Sequence, residues 1–349
     1  MLVTTNVFAV EDTFSHFIGI KKFSSFAKSK TETGETVLLS PDINAFIPWN
    51  ELVVSWNASA PSNTFVKIEA AAIFGDHKSK FYTVATWSPD NAKFTRTSVR
   101  GQKDSDGTVD TDTLIVPNLA TGTQIRVTLG GEGKRKPDLK FIGLSFSNTK
   151  IPTTSLPSNH AAWGKIISTP EKSQHGYPNE SGWCSPTSLS MVLTRWSDVL
   201  HRPEMKLDVP EVAEAVYDEG WHATGNWPFN TAFAGSFKNM RSYVTRFSDI
   251  SELEDWVAAG IPVIISGPWY LFEDGRGDSG SGHLTVCVGF TETGDVVIND
   301  PGTKVGASVR HIYKRQNVLN SWAKSHHTVY LVYPESAKLP KDRFGHWDK

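Results

Sequence analysis

The feature that most constrains the fold of this chain is a change in hydrophobic pattern near residue 150. Before that point, apolar residues alternate with polar ones over short runs, as at Leu52, Val54 and Trp56. A period of two residues indicates half-buried strands, and the polar turns between the runs indicate antiparallel pairing. After residue 163 the chain becomes a mixture of helical and strand-like runs. The two halves therefore need different kinds of packing.

We accordingly predict an α+β protein with two domains. Residues 12–147 are predicted to form an antiparallel β-sandwich, and residues 148–163, rich in Pro, Ser and Thr without periodicity, a linker. Residues 164–336 are predicted to form a domain in which helices precede an antiparallel sheet, and residues 337–349 a tail. The length of 349 residues is sufficient for two cores.

Composition excludes several classes of function. The formal net charge is −2 and 21% of the residues are charged, so no strongly basic surface is available for nucleic acid or acidic membranes. No apolar run reaches the roughly 18 residues of a membrane span. Two cysteines, Cys184 and Cys287, cannot supply a disulfide-dense scaffold or a four-cysteine zinc site. The apolar stretch at residues 1–10 has no basic residues and resembles only the remainder of a signal peptide.

Cys184 is the first candidate for chemistry. It follows a loop rich in Gly and Pro and precedes apolar residues at helical spacing, namely Leu189, Val192, Leu193 and Trp196. The cysteine is therefore predicted to begin a helix, where unpaired N–H groups and the helix dipole favour a thiolate. The alternative is a small buried hydrophobic residue, which is the usual environment of a free cysteine.

His283 and Asp300 are predicted to lie beside each other. His283 begins the strand that ends at Phe290, and the chain then turns and returns through a second strand to Asp300. The start of one strand and the end of its hairpin partner lie at the same end. His283 can accept the thiol proton of Cys184, and Asp300 can orient the imidazole ring. Asn299 is the rival for the orienting role, because adjacent strand residues point to opposite faces.

Gln174 is the candidate for the oxyanion site. It lies upstream of Cys184 on the same loop, so its side-chain amide can act together with the backbone N–H of Cys184. A surface glutamine without a role is the alternative for this residue. No cofactor and no metal are expected at the site.

The first half offers two further candidates. Trp49, Trp56 and Trp87 can form a platform for glycan, although aromatic residues on alternating strands are more often core. An acidic run has the oxygen-rich composition of a calcium loop, although an Asp-Gly hairpin turn explains the same residues. This run comprises Asp104, Asp106, Asp110 and Asp112.

Two other features are interpreted as non-catalytic. The segment Gly277-Asp-Ser-Gly280 matches the nucleophile motif of chymotrypsin-like proteases, but the chain lacks the two-barrel pattern of that fold. Cys287 lies in the middle of a predicted strand between two valines, so it is expected to be buried and inert.

Three segments together resemble a known family. They are Gln174 with the following Trp183-Cys-Ser-Pro-Thr-Ser, Gly282-His-Leu-Thr-Val, and Val297-Ile-Asn-Asp-Pro301. They resemble the three sequence boxes of papain-fold cysteine peptidases related to the bacteriocin-processing, or double-glycine leader, peptidases. The resemblance covers about residues 174–334, and the first half resembles the N-terminal half of some secreted bacterial members.

This resemblance implies a papain-like fold with Cys184 as nucleophile, His283 as base, Asp300 as orienting residue and Gln174 in the oxyanion hole. Ser185 stands where the family commonly has glycine, and the spacing from Gln174 to Cys184 is longer than in many papain-like enzymes.

From these features we predict a hydrolase that cleaves a peptide or amide bond through a thioester. The expected substrates are peptides, proteins or peptidoglycan, and the expected location is extracellular or in the bacterial cell envelope. One alternative is acyl transfer, in which an amine captures the thioester. Another is a glycan- or protein-binding module whose papain-like half is catalytically silent. Trp221, Trp227, Trp269 and Tyr270 are candidates for the walls of the cleft.

Overall fold

The computed structural model of the protein describes residues 13–178, 182–274 and 282–347. Two of the sequence features, the apolar residues 1–10 and the Gly277–Gly280 motif, lie outside these ranges. The described chain contains two sheets and several helices, so the α+β class is observed.

The first half is built from strands, and its described residues contain no helix before residue 160. Its nine strands are β1 (Ser15–Ile20), β2 (Ala27–Lys30), β3 (Thr36–Leu39), β4 (Ile43–Ser59), β5 (Thr64–Ile73), β6 (Tyr82–Trp87), β7 (Thr108–Asp110), β8 (Thr113–Gly131) and β9 (Asp138–Ser147). They join in one antiparallel network with a continuous path β1-β9-β4-β8-β3-β2. Strand β5 pairs with β8 and β6, and β7 pairs with β8.

Two long strands organise this network. The 17 residues of β4 and the 19 residues of β8 are paired over most of their length, and shifts of register interrupt the β4–β8 pairing near Trp49. Such irregularities bend strands and let one strand pair with different neighbours along its length. The alternating residues recognised in the sequence point inward, since Leu52, Val54 and Trp56 are each 0% exposed.

The second half contains six helices and six strands among its described residues. The helices are α1 (Cys184–Leu200), α2 (Val209–Val216), α3 (Trp227–Ser236), α4 (Ile250–Ala258), α5 (Trp269–Asp274) and α6 (Arg315–Trp322). The strands are β10 (Met240–Arg246), β11 (Val263–Pro268), β12 (Gly282–Phe290), β13 (Val296–Asn299), β14 (Arg310–Tyr313) and β15 (Thr328–Pro334). The strands form an antiparallel sheet in the order β10-β15-β11-β12-β13-β14.

Local sequence explains the helix boundaries. Helix α2 begins with a capping box between Asp208 and Glu211, as expected for an Asp with a Glu three residues later. It ends at Val216, four residues before Gly220, the first glycine that could end it. The reason is Asp218, whose carboxylate accepts the backbone N–H groups of Gly220 and Trp221 and so stabilises a turn instead of another helical turn.

The two halves share a buried interface. Strand β10 lies at the edge of the second sheet, and its backbone N–H groups are satisfied by side chains of β4. The N–H of Val244 donates to Ser55 Oγ at 2.9 Å, and the N–H of Ser242 donates to Asn57 Oδ1 at 3.2 Å. An edge strand that would otherwise be open is thereby covered.

The C-terminal segment, predicted as a tail, packs across both halves. The backbone N–H of Phe17 donates to the carbonyl of His346 at 2.6 Å, and His346 is 1% exposed. The ring of Trp347 lies 5.2 Å from that of Phe17 and 5.9 Å from that of Tyr243. Across the described ranges, no helix is both long enough and apolar enough to cross a membrane.

Candidate active site

Cys184 lies at the first position of α1, as the sequence predicts. Trp183 precedes the helix without a side-chain cap, and Gly182 adopts a left-handed φ of 76° that delivers the chain into the helix. The first N–H groups of α1 therefore remain available near the thiol. Cys184 is only 7% exposed, so the nucleophile candidate is more buried than a loop position would be.

Small hydroxyl residues allow α1 to pack closely against the sheet. Ser188 Oγ donates to the carbonyl of Leu284 at 2.9 Å, and Ser185 Oγ lies 3.1 Å from Tyr330 Oη. Because both hydroxyls are buried and partnered, they fix the helix on strands β12 and β15. Ser185 stands where the resembling family commonly has glycine. Its side chain contacts the sheet, so it does not cover the Cys184 thiol.

His283 lies at the start of β12 and is hydrogen-bonded to Asp300. Its Nε2 is 2.7 Å from Asp300 Oδ1, and both side chains are almost fully buried. The hairpin geometry places them together, since β12 and β13 pair antiparallel and Asp300 directly follows β13. The Cys184 thiol lines the same cavity as the imidazole, and the two groups interact electrostatically. The structure therefore brings the three predicted residues into one chain of contacts.

Asp300 is held by two further donors. The backbone N–H of Gly302 donates to Oδ1 at 2.8 Å, and Tyr313 Oη donates to Oδ2 at 2.8 Å. Tyr313 was not identified from the sequence. Its place beside Asp300 depends on the pairing of strand β14 (Arg310–Tyr313) with β13, for which the local sequence gives no signal.

Asn299 does not take the orienting role. Its Oδ1 accepts from Arg310 Nε at 3.1 Å, and its Nδ2 donates to the carbonyls of Thr169 and Pro170. These partners lie away from His283, as expected for a strand residue adjacent to Asp300.

The electrostatics of the three groups are coupled. Burial by itself lowers the pKa of His283, but the hydrogen bonds to Asp300 and Cys184 outweigh burial and raise it to about 10. Burial likewise raises the pKa of Cys184, yet the hydrogen bond and charge of His283 bring it below the ordinary thiol value. For Asp300, the hydrogen bond to His283 overcomes desolvation and lowers the pKa. The arrangement therefore favours the thiolate–imidazolium pair more than isolated cysteine and histidine side chains would.

Gln174 lies at the same site without a defined hydrogen bond to the thiol. Its backbone N–H donates to the carbonyl of Pro301 at 2.8 Å, which ties the loop to the residue after Asp300. The side-chain Oε1 is buried and has no hydrogen-bond partner among the described residues. Gln174 lines both cavities that border His283.

The two cavities lie on either side of this group. One, of about 610 Å³, is lined by Cys184, His283, Trp221 and Trp227, together with residues of the first half. The other, of about 810 Å³, is lined by His283, Asp300, Trp269 and loop residues 302–305. Three of the four aromatic residues predicted at the cleft therefore line it. Tyr270 is 53% exposed and contacts the ring of Trp269 at 4.9 Å.

The glycan platform predicted on the first half is not observed. Trp49, Trp56 and Trp87 are 0%, 0% and 1% exposed, so their faces pack in the core, which is the alternative that the alternating pattern allowed.

The predicted calcium ligands are also separated. Asp104 forms a hairpin turn, accepting the backbone N–H groups of Asp106 and Gly107, while Asp112 accepts from Trp227. Among the described residues, no group of three or more His, Cys, Asp or Glu is arranged to hold a metal ion.

The second cysteine behaves as the sequence indicates. Cys287 is 0% exposed in the middle of β12, and burial raises its pKa to about 12. It is therefore a protonated, inaccessible thiol at neutral pH.

Comparison with known proteins gives two family matches. Residues 22–147 match the model described as the peptidase C39 N-terminal domain, in its actinobacterial form, and residues 166–330 match that of the peptidase C39-like family. The search of curated proteins gave no match.

Among solved structures, a Bacillus anthracis protein designated a C39-like peptidase is 17% identical with a TM-score of 0.38, covering 50% of this chain and 98% of that one. The structure of infectious bursal disease virus, Gx strain, is 10% identical with a TM-score of 0.21, covering 40% of this chain and 34% of that one.

Proposed function

Because this chain belongs to the peptidase C39 family, of the actinobacterial type, we propose that it is a cysteine peptidase that uses Cys184, His283 and Asp300. The observation that supports this assignment best is the continuous contact from Asp300 through His283 to the thiol at the start of α1. A helix N-terminus that carries a thiol and packs on an antiparallel sheet with His and Asp also supports a papain-like fold for residues 164–336. For residues 12–147 we propose a sandwich in which β4 and β8 bend between the layers.

In the proposed mechanism the Cys184 thiolate attacks the scissile carbonyl carbon. The resulting oxyanion accepts hydrogen bonds from the backbone N–H of Cys184 and the side-chain amide of Gln174. The His283 imidazolium gives its proton to the leaving amine, and a thioester remains on Cys184. Neutral His283 then removes a proton from water, the hydroxide adds to the thioester, and the thiolate leaves with release of the acid. Asp300 stays ionised and orients the ring throughout.

The shape of the site supports a polypeptide substrate cut at an internal bond. The cavities of about 610 and 810 Å³ both border His283 and Gln174, and the first also contains the attacking sulfur, so room for a ligand extends beyond the reacting atoms. An extended peptide can occupy both cavities, whereas a small amide needs only one.

Incubation of the protein with a mixture of unstructured peptides, followed by mass spectrometry, tests the proposal. We expect internal cleavage that disappears in Cys184→Ala and persists in Cys287→Ala, the matched change at the other cysteine. Products that carry added amines in place of a free carboxylate would show acyl transfer instead. If Cys184→Ala cleaves as fast as the wild type, the proposed nucleophile is wrong.

A thiol-directed electrophile gives a second, independent readout. Iodoacetamide is expected to label Cys184 faster than free cysteine below the ordinary thiol pKa, because the thiolate fraction is larger. The His283→Ala variant is expected to lose this advantage. Labelling of the wild type no faster than free cysteine would support the silent binding module.

A further inference from the structure

Building on the proposed peptidase function, we infer that the first half of the chain forms part of the substrate site and that Asp110 selects substrates with a cationic side chain. The cavity that holds Cys184 is not built by the second half alone. The residues of the first half that line it are Glu51, Asp110, Thr111, Asp112, Thr113 and Ile115. Four of these form the turn between β7 and β8, so this turn is a wall of the cleft.

The β7–β8 turn is fixed in position. Thr111 has a left-handed φ of 54°, and the backbone N–H of Asp112 donates to the carbonyl of Asp110 at 2.6 Å. The Asp112 carboxylate accepts the backbone N–H of Trp227 at 2.8 Å, at the first turn of α3. Since Trp227 lines the same cavity, this bond joins the turn to the second half at the cleft itself. A wall fixed in this way loses little conformational entropy when a ligand binds.

The neighbouring wall, loop 217–226, is also held by the first half. Arg96, which is 1% exposed, donates from Nε to the carbonyl of Tyr217 at 2.9 Å. The backbone N–H of Ser98 donates to Asp218 Oδ1 at 2.9 Å. The first half therefore both supplies cavity residues and positions the loop that carries Trp221.

The charges of the cavity leave Asp110 free to bind a ligand. Glu51 is paired with Arg246 and also contacts His326 at 3.5 Å, so its charge is neutralised within the protein. Asp112 is 7% exposed and accepts hydrogen bonds. Asp110 is exposed, and its side-chain carboxylate forms no hydrogen bond or ion pair with any described residue. Its carboxylate therefore lines a partly enclosed space with both oxygens available to a ligand.

Such a carboxylate recognises an ammonium or guanidinium group by charge-assisted hydrogen bonds, which are stronger than neutral ones. The other exposed charge of this cavity, Lys324, belongs to the second half. A lysine or arginine side chain of the substrate is therefore attracted to the wall formed by the first half. The expected preference over an uncharged side chain of similar length is about 10-fold.

The test uses the full chain and a peptide set in which lysine, arginine, norleucine, glutamine or glutamate occupies each position around the scissile bond. We expect the wild type to prefer lysine or arginine at one position in kcat/KM, the Asp110→Asn variant to lose this preference, and Asp110→Lys to reverse it towards glutamate peptides. Asp138→Asn is the matched control, because Asp138 is an exposed carboxylate of the same half outside the cavity. Cleavage of the norleucine peptide reports whether each variant retains its fold and chemistry.

Binding separates this inference from the peptidase assignment. Calorimetry with Cys184→Ser measures affinity for the lysine and norleucine peptides without any need for turnover. Tighter binding of the lysine peptide that depends on Asp110 supports the inference even if the wild type cleaves nothing. Equal affinities, or a preference that survives in both Asp110 variants, would overturn it while leaving the catalytic residues unaffected.

Discussion

At the scale of single residues, the site depends on Asp300, a buried carboxylate with three donors. His283, Gly302 and Tyr313 all contact it, so it stays ionised despite burial and its pKa is low. The negative charge raises the pKa of His283 to about 10, and the imidazolium in turn lowers the pKa of Cys184. The reactivity of the thiol is thus set by a residue that does not touch it.

This coupling predicts the pH dependence of Cys184 alkylation. As pH falls through the lowered thiol pKa, the thiol becomes protonated and labelling slows; above about 10, His283 loses its proton and no longer stabilises the thiolate. In Asp300→Asn the imidazolium is less stable, so the thiol pKa rises. We expect labelling by iodoacetamide at about pH 6 to fall at least about 10-fold, equivalent to one pKa unit. An unchanged pH profile in this variant would contradict the coupling.

Tyr313 is expected to act through Asp300. Removing its hydroxyl in Tyr313→Phe leaves one carboxylate oxygen without that donor, at a cost of about 1 kcal/mol. We expect kcat/KM for a cleaved peptide to fall about 5-fold, with the ascending limb of its pH profile moved to higher pH.

Tyr82→Phe provides the matched control for this change. Tyr82 also donates to a carboxylate, that of Asp104, but it lies in the first half away from the cleft. A similar loss of kcat/KM in both variants would indicate general destabilisation instead of a role at the site.

At the scale of elements, strands β4 and β10 carry the contact between the halves. Besides the hydrogen bonds to Ser55 and Asn57, the contact includes an ion pair between Glu51 and Arg246, both buried. Desolvation by itself raises the pKa of Glu51, but the hydrogen bond from His326 and the charge of Arg246 outweigh it and lower the pKa to about 2. An ion pair buried at this depth fixes which strands meet.

Removing one partner of this pair is expected to destabilise the protein. Glu51→Ala leaves the Arg246 guanidinium buried without its carboxylate, which costs about 3 kcal/mol in the free energy of unfolding. The double variant Glu51→Ala with Arg246→Met removes both charges and is expected to recover part of that loss. Urea denaturation of the wild type, the single variants Glu51→Ala and Arg246→Met, and the double variant measures these differences. If the double variant is less stable by the sum of the two single losses, the residues are not coupled.

The elements themselves were partly predictable. Cys184 as the first helical residue, the hairpin that joins His283 to Asp300, and the burial of Cys287 follow from period, turn residues and chain direction, all of which are local. Strand β14 and helix α6 were missed because both are short and largely polar, so their formation depends on pairing with β13 and on packing against α5 and β11. The position of Gln174, Tyr313 and Asp110 at one site depends on contacts between distant segments, for which periodicity carries no information.

At the scale of the whole molecule, the two halves share their cores and their cleft. Phe229 and Ala232 of α3 pack into the hydrophobic core of the first half, while Phe17 and Phe141 pack into that of the second. The boundaries 12–147 and 164–336 remain predictions about sequence units. In the folded chain, each unit contributes residues to the hydrophobic core of the other, and both units line the cleft.

The protonation of Asp112 makes the stability of the folded chain depend on pH. Burial raises its pKa to about 7, well above its usual value near 3.8. Between these two values the folded chain binds a proton that the unfolded chain has released, so the contribution of Asp112 to stability is present at low pH and is lost as pH rises through about 7. The neutral variant Asp112→Asn retains an oxygen that can accept from Trp227.

We therefore expect the stability of Asp112→Asn relative to wild type to improve by about 2 kcal/mol between about pH 5 and pH 8. Urea denaturation at both pH values measures this, with Asp138→Asn as the exposed control. A difference that does not change with pH would show that Asp112 is ionised in the folded chain throughout this range.

The coverage of β10 by side chains of β4 has a consequence for any attempt to isolate the second half. Ser55 and Asn57 accept the backbone N–H groups of Val244 and Ser242, and a fragment without them would leave these groups unpaired along a seven-residue border. Another copy of the fragment can bind there as an additional strand. We therefore expect the isolated second half to self-associate and not merely to lose catalysis.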